Sequence, residues 1–197
     1  MGRCTQTRQK LLDAALKLFW ERSYFSVSVE DICSEAGVRK GSFYHFFESK
    51  AELAAEAIEF HWQSSSTCMC STFAKSVPPL DRLKNYMNYG YMYQKEMKEK
   101  TGYAVGCPYF DLGSEAVFMK NDISARVTNI IGKMKDRFRE AIEDARAEGS
   151  LETDDPAKTA EWLFSFMEGA LTNARIHNDP EILKDLYNGA FRLIGVK

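Results

Sequence analysis

Between Gly37 and Lys50 the sequence concentrates groups suited to holding a polyanion. Arg39 and Lys40 stand side by side, Gly41 permits close backbone approach, and Ser42 adds a small hydroxyl; Tyr44, His45 and Lys50 follow. A guanidinium such as that of Arg39 can donate two parallel hydrogen bonds to a guanine edge in the major groove. Ammonium and hydroxyl groups such as those of Lys40, Ser42 and Tyr44 suit phosphate oxygens. His45 reads either as a phosphate or base contact or as a plain surface residue. Arg3, Thr5 and Ser28 complete the candidate contacts.

The remaining side chains offer little other chemistry. There are three histidines (His45, His61, His177), and no dinucleotide fingerprint, phosphate-binding loop or nucleophile elbow occurs, so no enzyme is expected. The five cysteines are odd in number and unevenly spaced, which predicts free thiols in a reducing compartment rather than a disulfide framework. Cys68 and Cys70 project about 200° apart on a helix, so they form no metal site by themselves. Neither a metal nor a cofactor is expected.

The elements that must position these groups are helices. Leu11, Leu12, Ala15, Leu18 and Phe19 form one apolar stripe over 5–23. Ser28, with Asp31 three residues on, caps a second helix that Gly37 stops near Ala36. A short third helix covers 39–46, and a Ser49–Glu52 box opens a fourth that runs towards Phe73, weakened at Ser64–Thr67. Pro78–Pro79 breaks the chain ahead of a fifth, striped by Leu83, Tyr86, Met87, Tyr93 and Met97. A sixth begins at Cys107–Pro108, and Asn121 or Asp122 caps a seventh that ends at Gly149. Asp155–Pro156 and Asp179–Pro180 start the last two, over 155–177 and 180–194. The fold class is therefore all-α, with about nine helices.

Composition sets the frame. The chain has 197 residues, 45% of them apolar, and no apolar run near the roughly 20 residues that cross a bilayer. No membrane association is expected, and the polar, basic opening MGRCTQTRQK predicts a cytoplasmic protein. Net charge is −2, but residues 1–50 hold eight Lys/Arg against six Asp/Glu while 51–197 hold 18 against 22. Such weak polarity helps DNA binding only where geometry gathers it on one face.

Two short helices around a tight turn at Gly37, behind a longer packing helix, have the spacing of a helix-turn-helix whose second short helix enters the major groove. The run from Ser28 to Leu53, with Ile32, Ala36–Gly37–Val38, Gly41, Tyr44, Phe47, Ser49–Lys50 and Leu53, resembles the TetR family of transcriptional regulators, in its AcrR-like form. The resemblance implies that Tyr44 contacts one phosphate and that Lys50 clamps another at the start of the fourth helix. Arg39 replaces the serine cap frequent in that family, and Phe46 stands where His or Tyr is frequent, so a distinct operator preference is expected. Tyr24, Phe43 and Phe47 read as core of the small domain.

Two further segments, Gly106–Cys107–Pro108 through Glu115 and Glu168 through Arg175, look like parts of one subset of TetR-family C-terminal domains. That likeness implies residues 1–48 as a DNA-binding domain, residues 49–197 as a ligand-binding and dimerisation domain, and the last two helices as a four-helix homodimer interface. Leu163, Gly169, Ala170, Leu183, Leu186, Tyr187, Ala190 and Ile194 are the expected interface residues. Two half-sites about 34–36 Å apart on double-stranded operator DNA also call for a dimer. Tyr86, Tyr89, Tyr93, Cys107, Phe110, Phe118, Trp162 and Phe166 are expected around a pocket for a small, largely apolar or aromatic effector, although aromatics at helical spacing are core more often than pocket. Cys107, at a helix start, reads either as a buried inert thiol or as a redox- or electrophile-sensing switch. The expected mechanism is a repressor released when effector binding shifts the dimer to a DNA-incompetent state. The alternative outside this class is a helical interaction protein that binds no DNA.

Overall fold

The computed structural model describes residues 2–118 and 122–196, the side chains of residues 2–4 excepted. Arg3, among the expected DNA contacts, and Asn121, one of the two expected caps, thus lie outside the described residues. Nine α-helices and no strand occur among the described residues. They are α1 (Gly2–Glu21), α2 (Val29–Glu35), α3 (Lys40–Phe46), α4 (Lys50–Thr72), α5 (Pro79–Thr101), α6 (Pro108–Ala116), α7 (Ile123–Ala147), α8 (Pro156–Ile176) and α9 (Leu186–Leu193).

The chain packs as two compact units, Met1–Ser65 with Pro108–Ile130, and Ser66–Cys107 with Ile131–Lys197. The division by packing runs through α4 and α7 rather than at the 48/49 junction. The first half of α4 buries Leu53, Ala54, Ala57 and Ile58 within the first unit.

In the first unit α1 packs on α2, α3 and α6. Its stripe of Leu11, Leu12, Ala15, Leu18 and Phe19 is buried, as are Ile32 of α2, Phe43 of α3 and Phe47 behind it. Burying aliphatic and aromatic side chains of this size contributes roughly 1.5–3 kcal/mol each. Arg8 pairs with Glu56 and lies 5.6 Å from the Phe47 ring centre. Gly113 of α6 allows close approach to α7, because a Cβ there would stand 2.8 Å from Val127 Cγ1. The serines of α4 do not break it. Ser64 and Ser65 donate to the His61 carbonyl at 2.9 and 2.8 Å, so their hydroxyls are satisfied inside the helix.

In the second unit α5 and α8 both contact a 3-10 turn, Pro180–Leu183, and α9. Phe73, Tyr86, Phe138 and Phe164 interlock as an aromatic cluster with ring centres 5.5–5.6 Å apart. The single helix expected over 180–194 is instead split. Asp179 caps only the 3-10 turn, Lys184 is extended, and Asp185 takes a left-handed conformation (φ 55°) that short polar side chains tolerate before α9 starts. Four expected interface residues, Leu163, Leu183, Ala190 and Ile194, are buried within their own chain. Leu186, Tyr187, Ala170 and Phe166 are half-buried, while Gly169, Trp162, Ile176 and Leu193 are exposed.

One charged cluster closes the turn between α4 and α5. Buried Arg82 donates to the Val77 carbonyl at 2.7 Å, to the Lys75 carbonyl at 3.2 Å and to Asp144 at 2.5 Å, and Lys75 reaches the same carboxylate at 2.7 Å. Hydrogen bonds from Lys75 and Arg82 hold the Asp144 carboxyl below its ordinary pKa. A carboxylate whose pKa is depressed by folding contributes stability above its unfolded value and loses it as pH falls through the folded value. Replacing Asp144 by Asn is expected to destabilise the protein by about 2 kcal/mol at neutral pH, since a buried guanidinium loses its counter-charge. The difference from wild type should shrink below the ordinary carboxylate pKa, which denaturant titration across pH measures directly.

Candidate nucleic-acid interface

The turn between α2 and α3 is built by short-range chemistry. The Ser28 Oγ accepts from the Asp31 N–H at 3.0 Å, and Asp31 accepts in return from the Ser28 N–H at 2.8 Å and its hydroxyl at 2.6 Å. The capping box is complete, so both Ser28 donors are engaged on Asp31. At the other end of α2 the Ala36 N–H returns to the Ile32 carbonyl, and Gly37 takes φ 64°, where a Cβ would be strained. Arg39 then occupies the N-cap of α3 without any side-chain cap hydrogen bond.

The first turn of α3 presents Arg39, Lys40 and Gly41 to solvent, with Ser42 half-buried beside them. Tyr44 is 55% exposed and rests edge-on against the buried Phe43 ring, with ring centres 5.1 Å apart. His45 is exposed next to Phe46, and Thr5 is exposed on α1. Gly41 is informative because nothing lies within 4 Å of the position its Cβ would occupy, and its φ is not positive. Neither packing nor backbone geometry therefore requires glycine. Glycine inside a helix costs about 0.5–1 kcal/mol relative to alanine, and Gly90, Gly132 and Gly169 are equally unconstrained within their helices.

Two lysines in this region have internal partners. Lys40 forms an ion pair with Glu30 of α2, which holds the Glu30 carboxyl below its ordinary pKa and raises that of Lys40. Lys50 turns inward: its ammonium donates to the Tyr24 carbonyl at 2.9 Å and to the Val27 carbonyl at 2.7 Å, and lies 4.2 Å from the Tyr24 ring centre. Burial pushes its pKa down, with the Glu115 charge opposing. The Glu115 carboxylate of α6 accepts from the Tyr24 N–H at 3.0 Å. Lys50 thus ties the α1–α2 connection to the start of α4 with two of its three ammonium protons. At that start Ser49 caps Glu52, but the Glu52 carboxylate returns to the Glu48 N–H, one residue earlier than a standard box. Glu30 and Glu115 were not among the sequence candidates. Their partners lie 10 and 91 residues away, separations at which periodicity carries no signal.

The expected pocket residues fall in both packing units. Tyr86 belongs to the aromatic cluster of the second unit, and Tyr89 and Tyr93 stack at 6.1 Å, with burial pushing the Tyr93 phenol up to about 12. Phe110 and Phe118 belong to the first unit, Phe110 half-buried and Phe118 82% exposed just beyond α6. Trp162 is 57% exposed, and Phe166 packs towards Gly189, whose Cβ would lie 3.6 Å from its ring. A cleft of about 210 Å³ in the first unit is lined instead by Arg8, Glu56, Glu59, Phe60, Gln63 and Arg126. His61 is likewise an interior group. Its Nδ1 lies 2.8 Å from the Tyr109 hydroxyl, burial lowers its pKa to about 4, and no metal-ligand group of three or more exists among the described residues.

Cys107 is buried at the end of a clasped segment. The Gln94 side chain accepts from the Val105 and Gly106 N–H groups at 2.8 and 2.9 Å and donates to the Gly106 carbonyl at 2.9 Å, while Arg175 donates to the Val105 carbonyl at 3.2 Å. Cys33 is also buried, its thiol pKa raised by desolvation, whereas Cys70 is exposed. Iodoacetamide should therefore label Cys70 before Cys33 and Cys107 in native protein. Peptide mapping over time gives the order, and early Cys107 labelling would favour a reactive switch. Replacing Lys50 by Met should cost about 2 kcal/mol, since two carbonyls lose a charged donor. Amide exchange at 24–27 should accelerate more than elsewhere in the first unit.

Comparison with known proteins agrees with this geometry. Residues 11–57 match the family of bacterial regulatory proteins described as tetR, and residues 79–189 match a tetracyclin repressor-like C-terminal domain. Transcriptional regulator AcuR of Cereibacter sphaeroides is 30% identical over 177 residues, covering 89% of this chain and 79% of AcuR. The HTH-type transcriptional repressor DhaR of Mycobacterium sp. (strain GP1) is 27% identical over 192 residues, covering 96% and 93%. Among solved structures, a regulatory protein TetR from Rhodobacter sphaeroides superimposes with a TM-score of 0.83 at 30% identity, covering 93% of this chain and 96% of its own. These relatives are transcriptional regulators rather than enzymes. Two matched segments that together span most of the chain, over a helix-turn-helix with an exposed basic turn, carry one conclusion: the chain belongs to the TetR family of transcriptional regulators.

Proposed function

We propose that this chain is a non-enzymatic cytoplasmic repressor that binds a pseudo-palindromic operator as a homodimer and leaves it when a small, largely apolar or aromatic effector binds. Residues 1–48 supply the DNA-binding helix-turn-helix, and residues 49–197 supply effector binding and dimerisation. The observation that carries this reading is the exposed first turn of α3, where Arg39 and Lys40 precede a glycine that packing does not require. Seated end-on in a major groove, that turn brings Arg39 to a guanine edge and lets the backbone at Gly41 approach the duplex. Tyr44, His45, Thr5 and the remaining Lys50 proton serve phosphates.

Repression is supported by the likeness to DhaR, itself named a repressor. The partner face is the exposed apolar strip of α8 and α9, formed by Trp162, Gly169, Ile176 and Leu193 with half-buried Ala170, Leu186 and Tyr187. The stacked Tyr89–Tyr93 pair is the best-supported part of an effector site, offering aromatic faces and phenols that stay neutral. No helix among the described residues is long and apolar enough to cross a membrane. Release requires only that effector bind the DNA-incompetent dimer more tightly than the competent one.

Footprinting on DNA upstream of the chain's own gene tests the reading. Salt-sensitive protection of two half-sites about 34–36 Å apart is expected, and the absence of any protected pseudo-palindrome would refute it. Arg39→Ala should weaken operator binding by about 1–3 kcal/mol and relax preference at one base pair. Gly41→Ala should raise the melting temperature, in line with a gain of about 0.5–1 kcal/mol, and yet weaken operator binding.

A further inference from the structure

Two locally unfavourable features meet at one peptide group of the first unit. Ser23, in the connection between α1 and α2, has φ 128°, a backbone conformation that residues carrying a Cβ rarely adopt. Strain of this kind persists where surrounding contacts over-determine it. Glu115 stands next to last in α6, where the helix dipole disfavours a carboxylate. It reaches Tyr24, 91 residues away in sequence, and accepts from its N–H at 3.0 Å. The Tyr24 carbonyl is held by Lys50 at 2.9 Å. Both backbone polar groups of the residue after the strained serine are thus fixed by side chains of opposite charge, from α6 and α4. The Ser28 cap of α2 follows soon after.

Resting on the function proposed above, we infer that Glu115 is a positioning residue for operator binding, whose carboxylate holds the α1–α2 connection in the strained conformation from which α2 and α3 are presented to the duplex. Glu115 touches no DNA in this role and acts through the Tyr24 amide. Any acceptor can satisfy an amide; a charged one that its own helix disfavours makes the place of the connection depend on α6. Without the carboxylate the connection divides between the strained conformation and a relaxed one. Operator affinity then falls in proportion to the strained fraction. Glycine takes positive φ about as readily as negative, so glycine at position 23 frees the presented conformation from its need for the clamp.

The test compares wild type, E115A, S23G and S23G/E115A on the footprinted operator fragment, with a scrambled duplex of equal length as reference. S64A/E115A controls for general stability, since Ser64 is exposed on α4 in the same unit and alanine there favours the helix. Melting curves establish that the variants are folded, and binding is measured well below the lowest midpoint. E115A should bind the operator about tenfold more weakly, the worth of a hydrogen bond to a charged acceptor. S23G should change little in the wild-type background, yet restore most of the loss in E115A, whereas S64A should not. Where E115A fails to fold, E115Q, which keeps an acceptor oxygen without the charge, should show the same pattern with a smaller loss. Unchanged operator affinity without the carboxylate would overturn the inference. A loss that S23G does not restore, or that S64A restores equally, would also overturn it, because Glu115 would then contribute stability alone. Wild-type protein without operator preference would overturn the functional reading and the inference together, whereas the preceding outcomes leave that reading intact.

Discussion

Two helices of seven residues cannot hold themselves in water, since helices shorter than about 12–15 residues are marginal even with favourable sequences. Helices α2 and α3 exist because Ile32, Cys33 and Phe43 are buried in a unit where α1 packs against both. Everything proposed for the DNA face depends on this constraint. Burial of Phe43 orients α3 so that Tyr44 and the Arg39–Gly41 turn face outward. The same core frees the exposed turn from any structural duty, which allows a destabilising glycine there.

Charge is arranged around this core with unusual economy. Lys50 satisfies two carbonyls of the α1–α2 connection, and Glu115 accepts from the amide at Tyr24 in the same segment. Lys40 is balanced by Glu30, and Ser28 by Asp31. A region expected to present a field of cations therefore presents mainly Arg39 together with partly committed lysines.

The helices were largely legible in the sequence because their signals are local. Ser28, Gly37, Pro79, Pro108 and the Asp155–Pro156 pair each act within a few residues, and helical periodicity reports which face is apolar. The last helix was misread at Lys184–Asp185, where the stop depends on a left-handed aspartate and not on glycine or proline. Aromatic side chains were the least legible. Tyr86 and Phe118 obey the same composition rule, yet one interlocks with Phe73 and Phe138 while the other is open to solvent.

An all-α chain, the helix-turn-helix and the groups at the front of α3 are readable from residue order, because caps, turns and helical spacing act over a few residues. Which charges are engaged internally, as with Lys50 on Tyr24 and Val27 or Lys40 on Glu30, and which apolar faces remain open depend on long-range packing. Leu163 and Leu183 went to the chain's own core, while Trp162 and Ile176 did not. Those outcomes follow from contacts between residues distant in the chain. Burial and counter-charge are properties of the packed environment, and no local pattern encodes them.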